Sequence, residues 1–299
     1  MNALHLTRLF ICLLTMTPNL GVLANDSSNP QALRIPAPYS ERDIAHEYYV
    51  GLANHALSFV LGNNVPQLTP TVHMNQARAI VEMQKGNLDL FWTGADSQTE
   101  QELNAVRIPL DMGLMGFRRF IILSKQAERF SNIHSLDELR ELVACQGTYW
   151  PDTKILKGAG LQVLDTPVHE NLFELLATGR CDYFPRGFLE GPAEVEEWKS
   201  IFPDFIVSNQ IIIHYPLTIF FYTRKSDTWL AEALEQGLEY MIDNGLLMDY
   251  MKNHPSTSHL FPLSQFEAAT FFELTNPHLS NDASINNSRY WLTREAFKQ

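Results

Sequence analysis

The sequence is short of basic residues and of long apolar runs, and each shortage excludes a class of protein. Of its 299 residues, 22 are Lys or Arg and 34 are Asp or Glu, which gives a formal net charge of −12. An acidic chain without a basic stripe is not expected to bind a nucleic-acid backbone. No segment contains the run of about 18 apolar residues that spans a bilayer. We therefore expect a protein that neither binds nucleic acid nor is embedded in a membrane.

Sequence signatures of catalysis and metal binding are also missing. The histidines do not follow the His-Glu-x-x-His spacing of a zinc site. The chain has no Gly-x-Ser-x-Gly nucleophile elbow and no Gly-rich phosphate loop. We predict no metal, no cofactor and no enzymatic activity. The acidic run from Glu194 to Glu197 is interpreted as a solvated helix face.

The first 24 residues have the pattern of a secretory signal peptide. Arg8 precedes the apolar run 9–14, and Val22-Leu23-Ala24 offers a cleavage site. Cleavage after Ala24 would remove one charged residue, Arg8, and leave residues 25–299 with a net charge of −13. Since Asn25 rather than Cys follows the cut, no lipid anchor is expected. The sequence predicts a periplasmic protein, with an uncleaved anchor as the alternative.

Cysteine is scarce, with three residues in the chain. Cys12 would be removed with the signal peptide, so two remain in a compartment that permits disulfides. Cys145 lies near the end of one predicted strand, and Cys181 lies at the start of another. This offset places their Cα atoms too far apart for a bridge. We expect two buried free thiols.

Predicted strands and helices alternate in two successive sets, which favours sheets covered by helices. The first set has strands at 33–36, 68–73 and 88–93 and helices at 44–61 and 75–85. The second set has strands at 142–145, 161–164 and 181–186 and a helix at 171–178. The predicted fold class is α/β, with two lobes that each contain a mixed, mostly parallel sheet with flanking helices. Two hinge crossings join the lobes.

The predicted lobes follow from where the chain crosses between the two sets. The chain is taken to pass to the second set just before the extended segment at 117–124, and the extended segment at 211–222 is taken as the return crossing. Lobe 1 is predicted to comprise residues 25–116 and 224–299, and lobe 2 residues 117–223. The tail after His254 is expected to be a surface extension of lobe 1, packed by its aromatic residues.

The stretch from Gln146 to Gly187 has the features of a binding site. Gly147 permits a tight turn after one strand, and Asp152 begins a helix whose N-terminus favours negative charge. Arg186 ends a neighbouring predicted strand, and parallel strands end at the same edge of a sheet, where open α/β sheets bind ligands. The sequence predicts an anion site here. The alternative is that Arg186 forms a salt bridge with Asp152 or Glu190.

Other candidate ligand-binding residues also follow predicted strands. Aromatic rings at such positions can stack on a planar ligand or fill the core. A carboxylate after a strand can bind a ligand or cap its own backbone. Of the adjacent Arg118 and Arg119, one points into the cleft, and we favour Arg118. The complete predicted set is Tyr39, Trp92, Thr93, Asp96, Arg118, Tyr149, Trp150 and Arg186.

The order and spacing of these segments resemble the type II periplasmic solute-binding proteins, and in particular the amino-acid-type receptors of ABC transporters (extracellular solute-binding protein family 3). The resemblance lies in residues 86–91, 94–100, 177–183 and 227–245. Trp150-Pro151-Asp152-Thr153 and Phe184-Pro185-Arg186-Gly187 resemble a subgroup of receptors with undefined ligands. The resemblance implies a monomeric receptor that closes around a small solute and delivers it to an ABC permease or a membrane sensor.

Two departures from the family pattern bear on the solute. Amino-acid receptors carry a Thr-x-x-Arg motif for the ligand carboxylate, whereas residues 98–102 contain no Arg. They also carry an Asp for the ligand ammonium where this chain has Arg186. A bidentate cation thus replaces an anion. We expect an anionic solute, amino-acid-like or an organic acid, without an obligatory ammonium group.

Two alternatives remain open at this point. The same fold is used by secreted enzymes similar to cyclohexadienyl dehydratases, for which Asp96, Glu100 and Glu190 are the available acids or bases. Fold does not fix function. A module that binds no ligand is the other alternative, and it would be favoured by a cleft filled with the protein's own aromatic rings.

Overall fold

The computed structural model describes residues 32–38, 44–277, 279 and 287–298. The predicted signal peptide and the candidate residue Tyr39 lie outside the described residues. Within the described part of the chain, no helix is both long enough and apolar enough to cross a membrane.

The first half of the chain alternates strands and helices as predicted. Strand β1 pairs in parallel with β2, while β3 and β4 flank a later strand. Asn75 caps α2 by accepting from the backbone N–H of Arg78 at 3.0 Å. The elements are β1 (Ala32–Ile35), α1 (Ile44–Leu61), β2 (Gln67–Pro70), α2 (Gln76–Gln84), β3 (Phe91–Gly94), α3 (Ser97–Glu102) and β4 (Asn104–Val106).

The second half contains two linked sheets. Its elements are β5 (Phe117–Leu123), α4 (Ala127–Ser131), α5 (Leu136–Arg140), β6 (Val143–Gly147), α6 (Pro151–Gly158), β7 (Gln162–Thr166), α7 (His169–Ala177), β8 (Phe184–Gly187), α8 (Gly191–Trp198) and β9 (Phe205–His214). Strand β5 runs antiparallel to both β8 and β9, and β6 pairs in parallel with β7. A parallel bridge between Ala144 and Tyr183 joins the two sheets. The run Ser135-Leu136-Asp137-Glu138 has the sequence pattern of a capping box, and the structure forms that box at the start of α5.

The remaining elements return to the first half and then extend beyond it. They are β10 (Ile219–Thr223), α9 (Thr228–Asp243), α10 (Leu246–Asn253) and β11 (Thr270–Glu273). Strand β10 lies between β3 and β4, antiparallel to both, and β11 pairs in parallel with β9. The segment predicted as one crossing at 211–222 is therefore two strands, β9 and β10, with residues 215–218 between them. The division into lobes stays a proposal. Because β10 pairs with β3 and β4 of the first half, we propose that lobe 2 ends before Ile219.

Four clusters of buried apolar residues hold the described layers together, and the two largest are called the first core and the second core. The first core lies around α1 and α9 and includes Leu52, Ala56 and Leu234. The two helices approach so closely that a Cβ at Gly237 would collide with the backbone of Ala56. The first core also contains Phe117, Phe188 and Ile212, so it extends from the first half of the chain into the second. The second core lies beside β5 and β9 and includes Phe120 and Ile213.

The first crossing is the segment 107–117, from the end of β4 to the start of β5. Asp111 in this segment is hydrogen-bonded to the second crossing. Its side chain is fully buried and accepts hydrogen bonds from the backbone N–H groups of Gly113 at 3.1 Å and Met115 at 2.7 Å. It also accepts from the hydroxyl of Thr218, on the other crossing, at 3.2 Å. Burial raises the pKa of Asp111 to about 6, although these hydrogen bonds favour the charged form.

The prediction of two free cysteines is wrong. Cys145 and Cys181 form a disulfide with their Cα atoms 5.6 Å apart. The predicted strand contains Cys181, but strand β8 of the structure begins only at Phe184. Cys181 lies in the bend before it, where Asp182 N–H donates to the carbonyl of Val143 at 2.7 Å and brings the bend beside β6. The offset between the two strands therefore does not separate the sulfurs.

Candidate functional site

An aromatic cavity lies at the carboxyl ends of β1 and β3, beside the start of α1. Its volume is about 390 Å³. The Trp92 ring packs edge-on against His46 at 5.2 Å and Phe221 at 6.4 Å between ring centroids, and it is tilted against Tyr49 at 5.7 Å. The aromatic cavity is lined by Pro36, Ala37, Ala45, His46, Tyr49, His73, Met74, Gln76, Phe91, Trp92 and Thr93.

The walls of the aromatic cavity are positioned by α1 and β3. His46 Nε2 lies 2.8 Å from the carbonyl oxygen of Pro36, which fixes the first turn of α1 against the end of β1. Tyr49 is buried one turn below it. Trp92 and Thr93 sit on β3, whose backbone pairs with β10. Two of the predicted ligand-binding residues, Trp92 and Thr93, thus share one concave surface.

Asp96 lies just after this surface and caps α3. Its carboxylate accepts from the backbone N–H groups of Gln98 and Thr99, each at 3.0 Å, and from the Thr99 hydroxyl. Asp96 therefore caps the N-terminus of α3, which is the alternative to ligand binding for this residue. Glu100, one of the acids considered for an enzyme, pairs with Arg107 at 2.8 Å.

A second group of functional side chains lies at the ends of β6 and β8. We call Arg118, Asp152, Arg186, Glu190, Glu194 and Tyr215 the arginine cluster. Arg118 contacts Asp152 at 2.8 Å and Glu190 at 2.9 Å. The hydroxyl of Tyr215 donates to the same Asp152 oxygen at 2.5 Å. Asp152 is thus shared by a guanidinium from β5 and a phenol from the second crossing.

The Arg186 guanidinium contacts two carboxylates and two aromatic rings. It donates to both oxygens of Glu194, at 2.7 Å and 2.6 Å, and lies 3.3 Å from Glu190. Its guanidinium also stacks over Trp150 at 4.6 Å and Phe184 at 5.0 Å. Only 8% of the residue is exposed. The side chain predicted to bind an anion is therefore already paired with the protein's own carboxylates.

The strand register brings the two arginines together. Arg118 lies opposite Gly187 in the β5–β8 pair, one position from Arg186. A Cβ at Gly187 would lie 2.9 Å from Glu190 Oε2 and 3.0 Å from Arg118 Nη1, so glycine leaves room for the ion pair. Arg119 points to the opposite face, where its guanidinium lies 4.8 Å and 5.0 Å from the rings of Phe188 and Phe266. Burial lowers the pKa of Arg119 to about 10.

The arginine cluster is electrostatically balanced within about one charge. Burial disfavours the charge on Arg118, but Asp152 and Glu190 outweigh it and raise its pKa. Burial would raise the pKa of Glu194, yet Arg186 and His169 lower it to about 2. Two guanidiniums face three carboxylates, with His169 3.3 Å from Glu194 as a further donor. Both arginines therefore stay charged at neutral pH.

The rim of the arginine cluster carries the other two predicted residues. Trp150 is half-buried and stacks near Phe184 with centroids 6.1 Å apart. Tyr149, next to it, is 85% exposed. Buried Gln146 lies at the end of β6, and its Nε2 atom has no hydrogen-bond partner in the described structure. An exposed aromatic ring at a strand end is available for a ligand.

Sequence reasoning missed several members of both sites. Tyr49 and His46 belong to α1, more than 40 residues before Trp92, and no local pattern connects them. Glu194 was interpreted as part of a solvated face, which is wrong, because its side chain is only 12% exposed and pairs with Arg186. The available signal was its spacing from Glu190, since residues four apart share one face of a helix. Among the described residues, no group of three His, Cys, Asp or Glu side chains could hold a metal ion.

Comparison with known proteins gives matches of structure alone. No protein-family model matches the chain, and no curated protein sequence does. A probable amino-acid ABC transporter extracellular-binding protein from Bacillus subtilis matches with a TM-score of 0.54 and 11% identity, over 77% of this chain and 100% of that one. An ancestral arginine-binding protein bound to glutamine matches with a TM-score of 0.52 and 14% identity, over 76% of this chain and 99% of that one. An ancestral arginine-binding protein bound to arginine matches with a TM-score of 0.51 and 15% identity, over 75% of this chain and 98% of that one. The chain therefore has the two-lobed fold of the type II periplasmic binding proteins, as its sequence predicted.

Proposed function

We propose that this protein is an exported receptor that captures a small solute by closing its two lobes, and that an ABC permease or a membrane sensor receives the closed form. The observation that carries the proposal is the pair of sites at strand ends, the aromatic cavity in one half and the arginine cluster in the other. Open α/β sheets bind ligands at this edge. Hinge closure would bring both sites onto one solute.

Export is supported by the sequence and by the disulfide. The N-terminal pattern is that of a cleavable signal, and Cys145–Cys181 requires an oxidising compartment to form and persist. One structural neighbour is described as an extracellular-binding protein. We place the mature protein in the periplasm as residues 25–299, with lobe 2 running from residue 117 to the second crossing and also including β11, which pairs with β9. The remaining residues form lobe 1.

The aromatic cavity suits the apolar or planar part of a solute. Its volume of about 390 Å³ lies in the range of small-molecule sites, which begins at roughly 300 Å³. Trp92 and Tyr49 offer ring faces, and Thr93 and Gln76 offer hydrogen bonds. Tyr149 of the other lobe is exposed in the present state and would cover the solute on closure.

The arginine cluster suits a carboxylate or phosphate, provided that Glu190 gives way. Glu190 bridges Arg118 and Arg186, and its side chain is 32% exposed, against 3% to 12% for the other charged members. It therefore occupies the position that a solute anion would take, and it has the easiest path into solvent. Asp152 and Glu194 would continue to hold the two guanidiniums in place.

The proposal is tested by following thermal unfolding of residues 25–299 against a panel of carboxylates, phosphorylated metabolites and amino acids. A solute that binds only the native state at about a hundred times its dissociation constant adds roughly 2.7 kcal/mol. We expect an anion with an apolar part to raise the melting temperature and to be recovered unchanged. The absence of any stabilising compound would contradict the receptor proposal.

Glu190→Gln tests the chemical class of the solute. Removing the internal negative charge should tighten anion binding, on the order of tenfold, which corresponds to about 1.4 kcal/mol. Glu196→Gln, the same change on the exposed side of α8, is the matched control and should leave affinity unchanged. Tighter binding of neutral amino acids, with no gain for anions, would contradict the anionic assignment while leaving the receptor proposal intact.

A further inference from the structure

The C-terminal part of the chain contacts both crossings between the lobes. We call residues 270–276, which include β11, and residues 287–298 together the C-terminal strap. Strand β11 extends the sheet of lobe 2 by pairing with the last four residues of β9, from Ile211 to His214. The backbone N–H of Leu274, just after it, donates to the carbonyl of His214 at 2.7 Å. The strap is thereby hydrogen-bonded to the strand that enters the second crossing.

Strand β11 contributes side chains to two different cores. Phe271 packs against the first core and Phe272 against the second, as expected for neighbours on a strand. Leu274 is buried in the second core. One short strand therefore packs against both the first core and the second core.

Residues 287–298 cover the first crossing. The backbone N–H of Leu292 donates to the carbonyl of Met112 at 2.7 Å, and the Trp291 ring lies where a side chain at Gly113 would be. The ring of Phe297 lies 4.9 Å from Phe117 and 5.1 Å from Phe271 between centroids. This segment thus packs on the first crossing and on β11 together.

His214, the last residue of β9, contacts both Phe117 at the end of the first crossing and Glu273 of the strap. Its ring stacks on Phe117 at 3.9 Å, and its Nδ1 atom lies 2.6 Å from Glu273 Oε2 on β11. Asn276 donates to the carbonyl of Pro216 at 2.9 Å, which adds a contact to the second crossing. The strap therefore reaches both crossings through side chains as well as backbone.

We propose that the C-terminal strap sets the angle between the lobes in the absence of solute. Rotation about the crossings would pull either Phe271 or Phe272 away from its core and would shear Phe297 against Phe117. Close-packed interfaces resist such continuous deformation and favour discrete arrangements. The strap thus holds the open form as a defined state, and loosening it frees the hinge. This inference rests on the two-lobed fold and the crossings, and not on the identity of any solute.

The test measures the distance between two spin labels in solute-free protein, one on each lobe. Val81→Cys and Val168→Cys provide the sites, since both residues are exposed and the native Cys145 and Cys181 are bridged. Phe297→Ala removes packing on the first crossing, and Glu273→Gln weakens the contact with His214. Phe59→Ala, which removes a partly exposed ring of α1 that packs on Tyr240 of α9, is the matched control.

We expect a narrow distance distribution in the parent protein and in Phe59→Ala. Phe297→Ala should shift or broaden it by more than about 2 Å, the scale of recognised hinge motions, and Glu273→Gln should change it in the same direction by less. Should Phe297→Ala fail to fold, the exposed Glu273 position still decides the outcome. Distributions that stay identical in folded Phe297→Ala and Glu273→Gln would overturn the proposal.

Discussion

The aromatic cavity and the arginine cluster occupy equivalent strand ends in the two halves, yet different physics builds them. The aromatic cavity is open and lined by rings that need no partner to be stable. The arginine cluster is closed, because each buried guanidinium has a carboxylate within 3 Å. Truncating a small side chain at the edge of an open cavity removes little packing, whereas a buried charge left without its partner is strongly destabilising. We infer that the first site is preformed for a solute and that the second must exchange a partner to admit one.

The largest expected difference between the two sites is in stability. Asp152→Ala leaves Arg118 buried beside only the shared Glu190 and should lower the free energy of unfolding by about 3 to 5 kcal/mol. Thr93→Ala, at the edge of the aromatic cavity, should change it by less than about 1 kcal/mol. Urea denaturation of both variants measures the contrast. Equal effects would contradict the distinction drawn between the sites.

The disulfide gives the arginine-cluster half a further constraint. Cys145 and Cys181 are 36 residues apart, and closing a loop of that length stabilises by about 2 to 4 kcal/mol. The double change Cys145→Ala and Cys181→Ala should therefore lower the unfolding free energy by that amount, since alanine keeps a small apolar group at each buried position. Limited proteolysis would then cut the second half first. An unchanged denaturation midpoint would contradict the prediction.

Two buried carboxylates, one with a cationic partner and one without, should respond to pH with opposite signs. Asp111 accepts hydrogen bonds from neutral groups, and its pKa is raised to about 6. The folded state therefore takes up a proton before the unfolded chain does, and stability rises by about 1.4 kcal/mol as the pH falls from 7 to 5. Glu194, with a pKa lowered to about 2, contributes stability above its unfolded pKa that is lost as the pH falls toward 2.

Unfolding free energies at pH 7, 5 and 3 separate these two contributions. Asp111→Asn should remove the rise between pH 7 and pH 5, and Glu194→Gln should remove part of the loss below pH 4.5. A parent protein whose stability falls steadily from pH 7 to pH 5, with Asp111→Asn showing the same slope, would contradict the assignment for Asp111.

The smallest expected effect on stability is at Tyr149, although its expected effect on binding is clear. Because 85% of the residue is exposed, Tyr149→Ser should change the unfolding free energy by less than about 0.5 kcal/mol. Solute affinity should fall, since the ring would cover the solute only in the closed form. Calorimetric titration with the stabilising solute measures this loss. Unchanged affinity would remove Tyr149 from the proposed site.

Local patterns in the sequence were enough to predict the architecture. Alternating strands and helices gave both halves, and the pattern from Ser135 to Glu138 gave a capping box that the structure confirms. These features depend on residues close in the chain. The single long crossing predicted at 211–222 was divided by Pro216, because strand pairing assigns its two ends to different sheets.

Long-range pairing limited what could be predicted of the sites. The partners of Arg186 depend on where α8 begins after β8, and the contact of Trp92 with Tyr49 depends on the packing of α1 over β3. The bond between Cys145 and Cys181 depends on a bend that strand propensity does not reveal. Residue types at strand ends identified the candidate sites, and tertiary structure decided which of their charges are already paired.

The most direct test of the account is whether solute binding closes the molecule. Small-angle X-ray scattering of residues 25–299 gives the radius of gyration with and without a saturating amount of the compound that stabilises the protein most. The account predicts a smaller radius in the bound state, because both sites must meet on one solute. Strong stabilisation with an unchanged radius of gyration would contradict hinge closure and would place the bound compound in one half alone.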